Sequence, residues 1–271
     1  MDPDAYLERL GLADRERPSD IKTLTRLVRA HALTVPFETL AVTGDPHGPH
    51  EGAGVSLDPA NCYEKVVGRG RGGFCYELNG LFGWLLDTLG YDVDRVAAMV
   101  FDDDGDPSPP ANHLSNVVAL DRRYLVDVGT GGPRPRGPVP LDGTIRTERS
   151  GVAWRVDSSE RPDSDYRLRY RVPGNEWTDR FVFTDHHRPR SYFTATCTYL
   201  TTAPESPFTG TPVVALSTPT GYRKLHPDRL VTVKRDDRSE RAVTPAEWYD
   251  LLSSAFGLSY GPADAAGPNG T

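Results

Sequence analysis

A chain of 271 residues with a formal net charge of −7 is long enough for two or three domains, and its acidic balance argues against nucleic acid as the main partner. Three cysteines are too few and odd in number for a disulfide framework, so we expect a reducing, cytoplasmic setting. The chain has no apolar run long enough to span a membrane, and its acidic start lacks the basic and apolar regions of a signal peptide.

The first ninety residues are expected to be mainly helical. Ser19 is a candidate N-cap, because apolar side chains recur after it at three- and four-residue spacing. Pro36 interrupts that pattern, and Asp58 followed by Pro59 is typical of a helix start. The predicted helices cover residues 4–12, 19–35, 58–67 and 75–90.

The fourth predicted helix follows a glycine-rich stretch around which the rest of the chain is organised. Residues 70–74 are Gly-Arg-Gly-Gly-Phe, and Cys75 comes next. A thiol in the first turn of a helix lies near unpaired backbone N–H groups and the positive end of the helix dipole. With Arg69 and Arg71 close by in sequence, we expect a lowered thiol pKa and therefore a nucleophilic thiolate.

A cysteine nucleophile needs a base and a group that orients the base. His113 lies near the start of one predicted strand, and Asp127 lies near the end of the next, with residues 121–123 as the turn between them. Such a hairpin would place the two side chains near one end of the strands. His113 would then face Cys75, while Asp127 holds the other ring nitrogen.

Alternating patterns predict strands after the helical part and a mixed segment after residue 200. The strands are expected at residues 93–100, 112–120, 123–129, 153–156, 166–172, 177–183, 192–197, 213–217 and 230–233, and the earlier ones suggest a small barrel. Thr244 is a candidate cap for a helix over residues 245–256. An acidic, proline-rich loop is expected at residues 102–110, and the tail from residue 261 is expected to be disordered.

Other chemistry-bearing residues have plainer explanations. Cys62, on a predicted helix, and Cys197, on a predicted strand, are expected to be inert packing. His47 and His50 form a His-x-x-His pair in a Gly/Pro loop without a nearby third ligand, so no metal site is predicted. The glycines at residues 68–73 match a dinucleotide-binding fingerprint by letter, but a helix rather than a strand precedes them, so no nicotinamide or flavin site is predicted.

Three blocks of the sequence, in the same order along the chain, resemble the arylamine N-acetyltransferases. They are Arg-Gly-Gly-Phe-Cys-Tyr-Glu-Leu-Asn at residues 71–79, His113 ahead of its apolar strand, and Tyr-Leu-Val-Asp-Val-Gly-x-Gly at residues 124–131. Further similar elements lie at residues 6–11, 31–38, 55–59 and 206–208. The resemblance spans residues 4–235 and implies an α+β fold, in which a helical domain and a β-barrel domain have a papain-like arrangement and an α/β lid follows. The implied domains are residues 1–90, 91–200 and 201–260, with a disordered tail at 261–271.

The resemblance implies an acetyl-CoA-dependent N-acetyltransferase that acts on arylamines or hydrazines by a ping-pong mechanism. Cys75, His113 and Asp127 would form the catalytic triad, with an acetyl-cysteine intermediate and no permanently bound cofactor or metal. The Cys75 backbone N–H and a second donor near Asn112 would hold the oxyanion. A hydrolase or amide synthase with the same triad, and a non-catalytic binding protein on the same scaffold, stay open as alternatives.

The resemblance also implies a buried charged set behind the nucleophile, in which Arg9 and Arg71 pair with Glu38. Thr39 stands where the family usually has asparagine, which affects the hydrogen bonds around this set.

The walls of the substrate cleft are further implied by the resemblance. Phe37 and Phe208 are candidate walls of an apolar cleft, and acetyl-CoA is expected near the loop that contains Thr130 and Gly131. Thr130 stands where the family has phenylalanine. The loss of that ring would widen the pocket and weaken stacking on a substrate ring.

Overall fold

The computed structural model describes residues 1–13, 17–101, 108–235 and 237–260. Most of the predicted acidic loop at residues 102–110, and the predicted disordered tail from residue 261, lie outside these ranges. No helix within the described ranges is long and apolar enough to cross a bilayer.

The N-terminal part is helical, as predicted, with one short strand. Its helices and strand are α1 (Pro3–Arg9), α2 (Ile21–Thr34), β1 (Phe37–Glu38), α3 (Leu40–Thr43), α4 (Pro59–Tyr63) and α5 (Cys75–Thr88). A π-helical turn, Glu64–Gly68, extends α4, so together they cover the predicted third helix.

The ends of these helices follow from local chemistry. The cap of α2 is Asp20, whose carboxylate accepts a hydrogen bond from the Thr23 backbone N–H at 2.7 Å, so the prediction of Ser19 as the cap was wrong by one residue. Val35 is extended because it precedes Pro36, whose ring disfavours a helical conformation in the residue before it.

An eight-stranded antiparallel sheet curls into a barrel-like shape and has its own apolar core. Its strand order is β5-β4-β3-β2-β9-β8-β7-β6. The strands are β2 (Asp92–Val100), β3 (His113–Ala119), β4 (Arg123–Val126), β5 (Val139–Pro140), β6 (Arg146–Thr147), β7 (Ala153–Ser158), β8 (Tyr166–Arg171) and β9 (Thr178–Phe183). In β3, six consecutive residues from the start are buried, because one face of the strand packs on α5 and the other faces the barrel core. This packing brings the start of β3 to the helix that carries Cys75.

One predicted strand, at residues 192–197, is wrong. This segment is a 3₁₀ turn (Arg190–Phe193) followed by the helix α6 (Thr194–Thr202), and Cys197 therefore lies on a helix. The threonine hydroxyls of α6 donate to carbonyls four residues earlier, which satisfies them inside a helix. Phe193, Cys197 and Leu200 share one face and are buried in the same core as Cys75, so tertiary packing overrides the strand propensity of Tyr and Thr.

The last part of the chain forms a five-stranded antiparallel sheet and one helix. The sheet has the order β1-β10-β11-β12-β13, and its C-terminal strands are β10 (Val214–Thr218), β11 (Gly221–Leu225), β12 (Arg229–Lys234) and β13 (Asp237–Ala242). The helix α7 (Pro245–Phe256) begins after Thr244, whose hydroxyl accepts from the Glu247 backbone N–H, as predicted. Because β1 pairs with β10, this sheet is joined to the helical part beside Glu38. The α+β fold expected from the sequence, with a helical part, a barrel and a lid, is confirmed.

Candidate active site

Cys75 is the first residue of α5, directly after an extended residue, Phe74. The Glu77 carboxylate accepts a hydrogen bond from the Phe74 backbone N–H at 2.8 Å, which fixes the turn into the helix. The thiol is 5% exposed, and its Sγ lies 3.9 Å from the carbonyl oxygen of Asn112. The sulfur therefore lies beside the residue that precedes His113.

His113 is the first residue of β3, and Asp127 directly follows β4. The His113 Nε2 and the Asp127 Oδ2 are 2.5 Å apart, and the Asp127 Oδ1 accepts from the Gly129 backbone N–H at 3.0 Å. Both side chains are nearly inaccessible. The hairpin predicted from the sequence thus brings the imidazole and the carboxylate together. The carboxylate forms a hydrogen bond with only one of the two ring nitrogens.

Burial and hydrogen bonding act against each other at Asp127. Burial alone would raise the pKa of its carboxyl group, but the charge and hydrogen bond of His113 and the Gly129 N–H hold that pKa below its ordinary value. Asp127 is therefore ionised at neutral pH, which favours a protonated Nε2 on His113.

The electrostatics at Cys75 differ from the prediction. Burial raises the pKa of the Cys75 thiol well above its ordinary value, and the neighbouring Cys197 and Asp127 act in the same direction, whereas the Tyr76 backbone N–H lowers it. Arg71 does not serve the thiol: its guanidinium pairs with Glu38 and lies over the Tyr260 ring. Desolvation therefore outweighs the Tyr76 backbone N–H here, and we expect the thiolate to depend on a proton acceptor beside it.

A buried ion network lies behind the start of α5. Arg71 Nη2 lies 2.7 Å from Glu38 Oε1, and Lys65 Nζ lies 3.3 Å from the same oxygen and 2.7 Å from Glu77 Oε2. Burial alone would raise the pKa of Glu38, but Arg71 and Lys65 lower it to about 2. The expected pairing of Arg9 with Glu38 is wrong, because Arg9 donates to the Gly257 carbonyl instead.

Lys65 is the member of this network that the sequence prediction missed. No motif marks it. The only sequence feature that could have pointed to it is that it is one of few lysines in an arginine-rich chain and lies shortly before the glycine-rich stretch. Beyond the network is a cleft of about 240 Å³, lined among others by Lys65, Arg71 and Tyr260. Cys75, His113 and Asp127 do not line that cleft.

Asn79, one turn after the nucleophile, connects the three candidate catalytic residues. Its Nδ2 donates to the Leu114 carbonyl at 2.6 Å, and its Oδ1 accepts from the Val128 backbone N–H at 2.8 Å. The first contact lies next to His113 and the second next to Asp127. Sequence reasoning placed Asn79 in the cysteine block without giving it a role.

The contacts of Asn112 narrow the prediction of a second oxyanion donor near that residue. Its backbone N–H donates to the Pro109 carbonyl, and its side-chain oxygen accepts from the Val100 backbone N–H. The residue thus presents its carbonyl, which is an acceptor, to the Cys75 sulfur. The Asn112 backbone N–H is therefore not the second donor expected near this position.

The residues expected to form the cleft walls lie near the nucleophile. The Phe37 ring centroid is 5.7 Å from that of Phe74 and 6.5 Å from that of Phe208. A Cβ atom at Gly131 would come within 2.6 Å of the Phe37 ring, so only glycine fits there. Thr130 is 6% exposed, and its hydroxyl oxygen is buried without a hydrogen-bond partner among the described residues.

Thr39 forms a hydrogen bond within the fold, and the other two cysteines are buried. The Thr39 Oγ1 accepts from the Val213 backbone N–H at 2.9 Å, which ties the end of β1 to the start of β10. Cys62 and Cys197 are buried, and burial raises the pKa of both thiols, that of Cys197 to about 12. Among the described residues, no group of three His, Cys, Asp or Glu side chains could hold a metal ion.

Comparisons with known proteins agree on one family. A family model described as N-acetyltransferase matches residues 20–264. An arylamine N-acetyltransferase of Mycolicibacterium smegmatis is 34% identical over 98% of this chain and 94% of that protein. The solved structure of Mycobacterium marinum arylamine N-acetyltransferase in complex with CoA has a TM-score of 0.83 at 28% identity, covering 98% of this chain and 95% of that one. A Bacillus cereus arylamine N-acetyltransferase, described as having a Cys-His-Glu catalytic triad, has a TM-score of 0.83 at 25% identity and covers 96% of this chain and 100% of its own.

Proposed function

The chain belongs to the arylamine N-acetyltransferase family, and on this premise we propose that it transfers the acetyl group of acetyl-CoA to an arylamine or hydrazine through a Cys75–His113–Asp127 triad. The observation that carries the proposal is the junction of α5 with the β3–β4 hairpin. There a buried thiol lies against the residue before His113, and His113 bonds to an ionised Asp127. In the Bacillus cereus relative a glutamate is described in the triad, whereas this chain offers an aspartate.

In the first half-reaction the Cys75 thiol proton goes to His113 Nδ1, the ring nitrogen that Asp127 does not occupy. The sulfur attacks the thioester carbonyl of acetyl-CoA, and the backbone N–H of Cys75 at the helix start stabilises the oxyanion. The C–S bond to CoA then breaks, CoA leaves with the proton from His113, and acetyl-cysteine remains. Because one thioester replaces another, the step needs no additional energy source.

In the second half-reaction the amine nitrogen attacks the acetyl-cysteine carbonyl, and His113 accepts the proton that the nitrogen loses. An aromatic amine is uncharged at neutral pH, so its lone pair is available without a strong base. The new C–N bond forms, the C–S bond breaks, and the Cys75 sulfur regains a proton. The low exposure of all three triad side chains supports transfer over hydrolysis, since water has little access to the intermediate.

Phe37, Phe208, Thr130 and Gly131 are proposed as walls of the acceptor and CoA cleft. Their support is the placement of the Thr130 loop. A Cβ atom at Gly129 would lie 2.8 Å from the Cys75 carbonyl, and Gly131 abuts Phe37. Arg71, Glu38 and Lys65 are proposed to hold the start of α5, because their ion pairs adjoin the Glu77 carboxylate that caps it.

The division into residues 1–90, 91–200 and 201–260 is also kept as a proposal. It is supported by a separate apolar core in the barrel and another between the five-stranded sheet and α7.

Intact-protein mass spectrometry after mixing with acetyl-CoA tests the proposed function. We expect the mass of one acetyl group on the wild type, located at Cys75, and loss of that mass when an arylamine is added. A Cys75→Ala variant should stay unmodified. Continuous release of CoA without an amine would instead identify a hydrolase, and no acetylation at all would contradict the proposal.

A further inference from the structure

A second cleft, of about 460 Å³, lies on the side of α5 that faces the first strand of the barrel. None of Cys75, His113 and Asp127 lines it. Its floor is the surface of α5, where Gly80, Gly83 and Trp84 follow one another at helical spacing, and its rim includes Arg95 on β2 and Arg190. Nothing in the acetyl transfer described above uses this space.

Two hydrogen bonds, each accepted by a backbone carbonyl, place the two arginines at the same cleft. The Arg188 backbone N–H donates to the Arg95 carbonyl at 2.7 Å, and the Arg95 Nη1 donates to the Arg188 carbonyl at 3.2 Å. This reciprocal pair fixes the segment that carries Arg190 against β2. Burial, and then the positive charge of Arg190, lower the pKa of Arg95, which agrees with two cations close together.

Within the described part of the chain, neither arginine has a carboxylate partner. Asp94, the acidic residue next to Arg95, is engaged by Arg123 at 3.0 Å and by His187 at 3.3 Å. The Arg95 Nε is buried and makes no hydrogen bond. In an acidic chain, two neighbouring guanidinium groups without a counter-ion are a site for an anion, which they bind with planar, charge-assisted hydrogen bonds.

The floor of the cleft combines an open position on α5 with an aromatic side chain. A Cβ atom at Gly80 would meet nothing within 4 Å, so the space above it is open, whereas one at Gly83 would lie 2.7 Å from the Asn116 Oδ1. The half-buried Trp84 indole stands beside these glycines, held edge-on by Tyr63 at 6.0 Å. Asp87 lines the same cleft and disfavours a second negative charge on the occupant.

We propose that this cleft binds a small organic anion. Its single carboxylate or phosphate group lies between Arg95 and Arg190, and its flat ring lies over Gly80 against Trp84.

Isothermal titration calorimetry at low ionic strength tests the anion contact, with benzoate, phenyl phosphate and inorganic phosphate as probes. We expect at least one aromatic anion to bind the wild type more tightly than inorganic phosphate does. Whichever of benzoate and phenyl phosphate has the higher affinity identifies the head group as a carboxylate or a phosphate. Arg190→Gln should weaken that binding by about tenfold or more, because a charge-assisted hydrogen bond is lost. Arg161→Gln, which removes an exposed arginine paired with Asp163, is the matched control and should leave the affinity unchanged.

A second variant tests the space itself. Gly80→Met adds a side chain at a position where a Cβ atom would meet nothing within 4 Å, so the fold and the acetylation of Cys75 should persist while binding of the aromatic anion is lost. The proposal is overturned if neither aromatic anion binds the wild type, or if both variants bind it as well as the wild type does. Equal affinity for inorganic and phenyl phosphate would overturn the placement of the ring.

Discussion

Burial favours the protonated form at both ends of the candidate triad, but the pKa shifts that result are opposite. It raises the pKa of the Cys75 thiol, while at Asp127 the partners His113 and Gly129 outweigh it and keep the carboxylate ionised. The helix dipole and the nearby arginines favour a thiolate when only the sequence is considered, but in the structure the sulfur loses its solvent and Arg71 pairs with Glu38. In the proposed mechanism the nucleophile therefore depends on proton transfer to His113, and Asp127 is proposed to prepare His113 for it.

Asp127→Asn should keep the shape of the site but let His113 take the wrong tautomer. The equivalent change in a serine protease lowers the rate about 10⁴-fold, and we expect a large but smaller loss here because a thiol needs less help than a hydroxyl. The measurement is the single-turnover rate of Cys75 acetylation in the two proteins. A rate within a few-fold of the wild type would remove Asp127 from the triad.

The hydroxyl of Thr130 is buried without a hydrogen-bond partner in the described part of the chain, and such a group lowers stability by about 1–3 kcal/mol relative to an apolar replacement. Thr130→Val keeps the shape of the side chain and should raise the free energy of unfolding, measured by urea titration. Thr130→Ser, which retains the hydroxyl, is the control and should not be stabilised. A less stable valine variant would mean that the hydroxyl has a partner.

His31 makes the stability of the fold pH-dependent. It is fully buried between Tyr6 and Phe82, and burial together with Arg134 and Arg9 holds its pKa well below the ordinary value. Histidine in the unfolded chain has a pKa of about 6.5, so below that pH the unfolded state binds a proton that the folded state does not. The free energy of unfolding therefore falls as the pH is lowered, by up to about 1.4 kcal/mol for each pH unit. Above that pH the imidazole is neutral in both states and has no effect.

Urea titrations of the wild type and His31→Leu across this window measure that contribution, because the other histidines are common to both proteins. As the pH falls, the free energy of unfolding of His31→Leu should increase relative to that of the wild type. A constant difference would show that His31 is protonated in the folded state.

At the scale of whole elements, helices and strands with a regular hydrophobic pattern were predicted well from the sequence. Segments whose secondary structure depends on tertiary contacts were not. The strands at residues 93–100, 153–156 and 177–183 and the helix at 245–256 are present within a few residues. Residues 192–197 were mistaken for a strand because their Tyr and Thr side chains favour strands, and only the core beneath α6 decides otherwise. The strands β11 and β13 were missed because their sequences are mainly polar, and β13 is exposed along its whole length.

The packing of α5 on β3 depends on Asn79, which bonds to both the Leu114 carbonyl and the Val128 N–H. Asn79→Ala should leave two buried backbone groups unpaired and lower the unfolding free energy by about 2–6 kcal/mol, at about 1–3 kcal/mol for each group. The acetylation rate of Cys75 should fall as well, since His113 and Asp127 lie next to these two contacts. Thr88→Ala, which removes an exposed hydroxyl bond on the same helix, is the control. Equal stability of the Asn79 and Thr88 variants would contradict this role.

At the scale of the whole molecule, the connections between the helical part, the barrel and the C-terminal sheet are the least predictable feature. The blocks around Cys75, His113 and Asp127 indicated the site, but the residues that bring these blocks together are scattered through the sequence. Arg134 is the clearest example, since it lies in a Gly/Pro-rich loop and has the pattern of a surface residue, yet it is 2% exposed. An isolated arginine gives no sequence signal for such burial, because its partners are backbone carbonyls and one distant serine rather than a motif.

Arg134 joins all three parts of the structure. Its guanidinium donates to the Val128 carbonyl after Asp127, to the Ala32 carbonyl on α2 and to the Ser217 hydroxyl on β10, at 2.5, 2.8 and 3.0 Å. Replacing it with methionine keeps the length of the side chain but removes these three hydrogen bonds and a fourth, to the Val35 carbonyl at 3.3 Å. Each hydrogen bond to a charged group contributes about 1.5–3 kcal/mol, and the cost of burying the charge, which the variant no longer has, must be set against that sum.

We therefore expect Arg134→Met to lower the unfolding free energy by several kcal/mol. Hydrogen exchange should increase at the three contact points before it increases in the barrel core. Arg136→Met, in the same loop, is the comparison. Arg136 pairs with Glu148 and donates to carbonyls of the C-terminal sheet, and among the described residues it makes no hydrogen bond to α2. Faster exchange on α2 in both variants alike would mean that the loop as a whole, rather than Arg134, holds the parts together.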